Sequence, residues 1–191
     1  MIFILALLTG CATTGVRPDV APDLKESALL LFPVTDRALF TATGVSFMAI
    51  SLNGERHLLT VNKWPQDIPK NEGRGKRFFG VFTLPPGEYK LVYWYLIQTE
   101  GGAAPEPKDP FIFKLNKSDV VYIGNFNVIR ILDNGQFRDR FDEDVKQYIS
   151  LFPWLKNFTI KHEQLKSIWW PLPGGEDPEE VLHNALLLNP K

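Results

Sequence analysis

The side chains with chemistry to offer are few and widely spaced. There is one cysteine, Cys11, and the three histidines are His57, His162 and His183. A single cysteine excludes an intramolecular disulfide. No Gly-x-Ser-x-Gly elbow, no His-Glu-x-x-His and no Cys/His metal spacing is present. Each histidine therefore reads as a surface or partly buried residue. Lys70, Arg74, Lys76 and Arg77 form a basic, glycine-containing loop. It fails as a phosphate-binding loop, because Lys70 stands where the first glycine belongs and no hydroxyl residue follows Lys76. Its few charges read as a solvated loop sooner than as a site for phosphates or lipid headgroups. Asp139, Asp142, Glu143 and Asp144 lack the spacing of a calcium loop, and acids at a helix N-terminus are favoured by the helix dipole anyway. The chain reads as a non-enzyme without cofactor or metal. Trp64, Tyr93, Trp94 and Tyr95, with Trp169 and Trp170, are the surplus. Aromatic rings on an open sheet face stack on sugars, whereas rings in a core or under a helix do not.

Cys11 gains meaning from its neighbours. Ile2 to Leu8 is an unbroken apolar run, too short to span a bilayer as a helix but matched to the apolar region of a secretory signal. The four residues Leu8-Thr9-Gly10-Cys11 that follow resemble the bacterial lipobox. The resemblance implies diacylglycerylation of the thiol, cleavage before Cys11 and acylation of the new amine, several acyl chains together giving stable anchoring. It also implies a periplasmic location, and Ala12 in place of the aspartate that retains lipoproteins at the inner membrane points to the outer membrane. One feature departs from the pattern: no Lys or Arg precedes Cys11, the first being Arg17. The competing readings are an apolar N-terminal strand with a buried thiol, and ordinary cleavage after Ala12.

The elements around these residues are mostly strands. The chain has 191 residues, enough for one self-supporting domain with appendages. Its 21 basic and 22 acidic residues nearly cancel, so there is no electrostatic case for nucleic acid. The organising stretch is Phe78 to Gln98, two apolar runs around Pro85-Pro86-Gly87. That tripeptide predicts a tight type II turn with positive φ at Gly87, and hence a hairpin. In the return strand, Tyr89, Leu91, Tyr93, Tyr95 and Ile97 share one face and Lys90, Val92, Trp94, Leu96 and Gln98 the other. Further strands are expected over Ser27 to Val34, Gly44 to Leu52, Glu55 to Val61, Phe111 to Leu115, Asp119 to Leu132 and Gln136 to Phe141. Asn53-Gly54 predicts a two-residue type I′ hairpin, Asn134-Gly135 a second hairpin, and Gly124-Asn125 a bulge or bend.

Two helices are expected. Asp142 caps the first, with Val145, Tyr148, Ile149 and Phe152 on one face until Pro153. Asp177, Pro178 and Glu180 begin the second, whose stripe of Val181, Leu182, Ala185 and Leu186 is suited to covering a sheet face. The segment from Trp154 to Gly175 has no clear pattern. Leu84-Pro85-Pro86-Gly87-Glu88-Tyr89-Lys90-Leu91, with Val121-Tyr122-Ile123-Gly124-Asn125-Phe126, resembles the PEGA-like and transthyretin-like β-sandwich modules of bacterial envelope proteins. The resemblance spans Ser27 to Phe141 and implies a fold, with no catalytic residues.

The expected architecture is mainly β, an antiparallel β-sandwich of about seven or eight strands with one or two C-terminal helices. Residues 1–10 would be a lipoprotein signal peptide, 11–26 a flexible tether, 27–141 the sandwich, and 142–191 a helical extension packed on it. The expected function is that of a lipid-anchored envelope lipoprotein with a structural or interaction role, its partners a membrane through Cys11 and an envelope protein or glycan. The alternative is a carbohydrate-binding module using Trp64, Tyr93, Trp94 and Tyr95.

Overall fold

A strand that is apolar on both faces needs cover on both, and Ala28-Leu-Leu-Leu-Phe-Pro-Val34 is such a strand. In the computed structural model, which describes residues 16–37, 42–69, 74–97, 106–107, 109–130 and 134–171, this strand lies at the centre. β1 (Ala28–Arg37) pairs antiparallel with β5 (Lys76–Leu84) on one side. On the other it runs parallel to β8 (Val120–Tyr122) and then to β9 (Asn125–Ile129). Those two short strands are one chain bent at Gly124, whose φ is 104°, so the expected bend is present. Pro33 sits opposite that break, where the missing N–H interrupts no ladder. β4 (Gln66–Asp67) adds beside β5, and β10 (Asn134–Arg138), β11 (Ile160–His162) and β12 (Trp169–Pro171) complete an eight-stranded sheet. The second sheet has four antiparallel strands in the order β3 (Arg56–Val61), β2 (Val45–Ser51), β6 (Gly87–Leu96), β7 (Phe111–Leu115).

Ala28, Leu30, Phe32 and Val34 point into the core between the sheets, against Phe47, Ala49, Leu91 and Trp94 of the smaller sheet. Leu29 and Leu31 point the other way, into a layer formed by α1 (Phe141–Leu151) and a 3-10 helix (Pro153–Asn157), where Tyr148, Phe152 and Leu155 are buried. The mainly β sandwich with a C-terminal helix is therefore found. Among the described residues the twelve strands exceed the expected number, several being only two or three residues long, and the larger sheet mixes parallel with antiparallel pairs. Packing starts before Ser27, because Val16 and Leu24 from the expected tether are buried in the helical layer. The segment without a clear pattern supplies β11 and β12, and Trp170 is fully buried in the central core. The second expected helix lies outside the described residues, as does the signal segment.

Five local expectations need correction. β5 and β6 are not a hairpin: they belong to different sheets, and Pro85-Pro86 carries the chain across the sandwich. Both contribute to the core between the sheets, Phe78, Phe82 and Leu84 from β5 and Tyr89, Leu91 and Trp94 from β6. Tyr89 donates its hydroxyl to the Pro85 carbonyl at 2.6 Å, pinning the corner as a tyrosine corner does. Gly87 needs no positive φ; it is the first residue of β6, opposite Leu115. β6 does not alternate strictly, because the register shifts between Met48 and Ala49, leaving Val92 without an opposite residue. The phase reverses there, so Trp94 turns inward while Tyr93 and Tyr95 lie on the outer face.

The remaining two corrections concern turns. The β2–β3 hairpin is present, but Gly54 alone takes positive φ, 87°, and its N–H reaches the Ser51 carbonyl at 2.8 Å. That is a three-residue loop closed by a glycine bulge, not a two-residue type I′ turn. The second hairpin is present, β9 pairing antiparallel with β10, but Asn134-Gly135 is not its turn: it starts β10, paired with Ile129 and Val128. A Cβ at Gly135 would lie 2.1 Å from the ring of Phe126, so close approach explains this glycine.

Candidate functional site

The polar side chains that the fold gathers lie where β10 hands over to α1. Asp139, Arg140, Phe141, Asp142, Glu143 and His162 line a cleft of about 400 Å³. β11 brings His162 there by pairing in parallel with β8, which sets it beside Tyr122. The His162 imidazole stacks on Phe141 at 4.3 Å and 14°, and its Nε2 lies 3.1 Å from Asp139 Oδ1. Phe141 N–H donates to the same Asp139 oxygen at 3.1 Å, so Asp139, not Asp142, serves the first turn of α1. Arg140 pairs with Glu143, and Arg77 Nη1 is 3.8 Å from the same carboxylate.

Beneath the cleft runs a buried polar chain. Asp144, in the first turn of α1, is fully buried. Its Oδ2 accepts from the Tyr122 hydroxyl at 2.9 Å and from Asn125 Nδ2 at 3.0 Å, while Oδ1 has no hydrogen-bond partner. The Thr35 hydroxyl donates to Asn125 Oδ1 at 2.8 Å, linking the chain to β1. Burial pushes the Asp144 carboxyl above its ordinary range, against the pull of Asn125, Tyr122 and the guanidinium groups of Arg77 and Arg140. Burial, followed by the Asp144 charge and hydrogen bond, raises the Tyr122 phenol far above its ordinary range.

This arrangement has the base-and-orienter half of an acid–base site, His162 with Asp139, but among the described residues no Ser, Thr or Cys lines the cleft as a nucleophile. Among the described residues no group of three His, Cys, Asp or Glu side chains is placed to hold a metal ion. His57 is in the other sheet, buried, edge-on to Tyr89 at 5.4 Å. His183 lies outside the described residues.

The aromatic candidates are dispersed. Trp94 is fully buried among Phe47, Phe126 and Trp170. Trp64, at φ 51°, leans edge-on against Phe152 at 4.8 Å, on the helical side of the large sheet. Tyr93 and Tyr95 are half-buried on the outer face of the four-stranded sheet. So the structure brings Tyr93 and Tyr95 together and parts them from both tryptophans. Of the basic loop, Lys76 is 3.5 Å from Asp67 and Arg77 is buried in β5, while Lys70 lies outside the described residues, as does Cys11.

Tyr122, Asn125 and Thr35 carry the polar chain with Asp144 and are not among the candidates read from the sequence. The signal that marks them is a polar residue interrupting an apolar strand, as Thr35 does in β1 and Asn125 and Asn127 do in β9. No helix among the described residues is long and apolar enough to cross a membrane. Comparison with protein-family models, with curated proteins and with solved structures returned no match.

Proposed function

We propose that this chain is a lipid-anchored lipoprotein of the bacterial cell envelope, held through Cys11 on the periplasmic side of the outer membrane, with a non-catalytic structural or interaction role. The observation that carries the reading is the run Ile2 to Leu8 leading into Leu8-Thr9-Gly10-Cys11. The interaction surface would be the outer face of the four-stranded sheet, where Leu58 is 40% and Ile112 48% exposed and Met48, Ile50, Tyr93 and Tyr95 are half-buried. Such a face suits a protein partner with an apolar centre and polar rim. Carbohydrate binding is the second reading, and Tyr93 and Tyr95 support it; with Trp94 in the core and Trp64 on the opposite side, it would depend on those two rings.

The test is the intact mass of the protein recovered from membranes of a bacterial host, beside Cys11→Ala. The expected result is a chain beginning at Cys11 with added acyl mass, and loss of both that mass and membrane partitioning in the variant. A soluble product with an unmodified thiol overturns the reading.

A further inference from the structure

The N-terminal segment joins the body on one side. Val16 and Leu24 are buried in the apolar layer that α1 and the 3-10 helix form over the eight-stranded sheet. Only residues 12–15 separate Cys11 from Val16, and the five Cα steps between them span at most about 18 Å. The outer face of the four-stranded sheet lies beyond both sheets, on the order of 20 Å from the helical layer. A short leash fixed to one face limits which way the body turns.

We infer that the domain stands with its helical layer toward the lipid headgroups and the outer face of its four-stranded sheet directed away from the bilayer. This rests on the lipid anchor at Cys11 and adds an orientation to it. The rim of the helical layer fits that neighbour. Trp64, Trp154 and Phe158 are half-buried there, and Lys63 Nζ is 6.0 Å from the Trp64 ring. An amphipathic ring beside an ammonium group, here Trp64 with Lys63, suits the headgroup region, where the indole keeps an apolar side and a wet side. The orientation leaves the face carrying Leu58, Tyr93, Tyr95 and Ile112 open to a periplasmic partner.

The chain's chemistry makes the test direct. Once acylated, the Cys11 sulfur is a thioether, so an introduced cysteine is the sole free thiol. Lys156→Cys places a fluorophore on the 3-10 helix, and Lys114→Cys places one on the outer face of β7, both at exposed positions. The full-length acylated protein is reconstituted into phosphatidylethanolamine/phosphatidylglycerol vesicles that carry a nitroxide-headgroup lipid. Quenching should be several-fold stronger at Lys156→Cys than at Lys114→Cys. Inserting about twenty Gly/Ser residues after Gly15, a coil of roughly 25 Å, should reduce the difference. Equal quenching, or stronger quenching at Lys114→Cys, on protein whose mass shows acylated Cys11 overturns the orientation and leaves the anchor standing. Protein with unmodified Cys11 overturns both.

Discussion

Replacing Gly135 by alanine tests whether close approach, not turn geometry, explains that residue. In an ordinary strand the change would help, since glycine costs about 0.5–1 kcal/mol relative to alanine. Here the new Cβ would lie 2.1, 2.6 and 3.0 Å from three atoms of the Phe126 ring. The ring has nowhere to go: Phe47, Trp94 and Phe137 surround it at 4.8, 5.0 and 5.1 Å between centroids. Overpacking of a rigid site costs typically 1–3 kcal/mol, and this one belongs at about 3 kcal/mol. Urea denaturation should show a lower midpoint with an unchanged slope. Phe126→Leu in the same chain should relieve the clash, so the double variant should fall short of the summed losses by at least about 1 kcal/mol. A stabilised Gly135→Ala, or strict additivity with Phe126→Leu, would refute the argument and return Gly135 to a turn role.

Two further outcomes follow from buried hydroxyl and carboxyl groups. Asp144, with its folded pKa raised above the ordinary 3.8, keeps its proton in the folded state where the unfolded chain has lost it. Its contribution is thus greatest at low pH and declines as pH rises through the folded pKa, by about 1.4 kcal/mol for each unit of separation. Asp144→Asn should gain on the wild type across that interval in denaturation curves taken as a pH series; a pH-independent difference would show that burial does not govern this carboxyl. Tyr89→Phe removes the 2.6 Å bond to the Pro85 carbonyl and should cost about 1–2 kcal/mol by the same denaturation assay. No measurable loss would mean that Pro85-Pro86 holds the corner without it.

Where local pattern decides structure, the sequence was legible. Phe111 to Leu115 alternates and is a strand with the expected ends, and the expected helix is present, beginning two residues before the start that an Asp142 cap implies and ending at Leu151. The bend at Gly124 was visible because a glycine interrupts an otherwise continuous strand. Pairing was less legible, because an apolar run carries no label for its partner. β5 and β6 have the runs and turn of a hairpin, yet β5 pairs with β1 in one sheet and β6 with β2 and β7 in the other. Glycine is ambiguous in the same way: Gly54 supplies a positive φ, while Gly135 makes room for a ring. Asp144 and Tyr122 were opaque for another reason. They are 22 residues apart, and only the docking of α1 against β8 makes them partners.

Of the aromatic candidates, the core takes Trp94 and Trp170. Phe32, Phe47, Trp94, Phe111, Phe126, Phe137 and Trp170 form one connected cluster of stacked, tilted and edge-on rings between the sheets. Sheets about 10 Å apart need large side chains to fill the gap, and small residues such as Gly135 let the rings settle. Trp170 lies in this cluster although it follows the helix, so residues beyond 160 help to build the sandwich and are not merely laid upon it. Among the described residues, the outer sheet face and the His162 cleft are open to a partner. The first has exposed apolar side chains; the second has charges already engaged with one another. Desolvating paired charges is expensive, whereas covering Leu58 and Ile112 is favourable. That contrast makes the sheet face the better candidate for a contact surface.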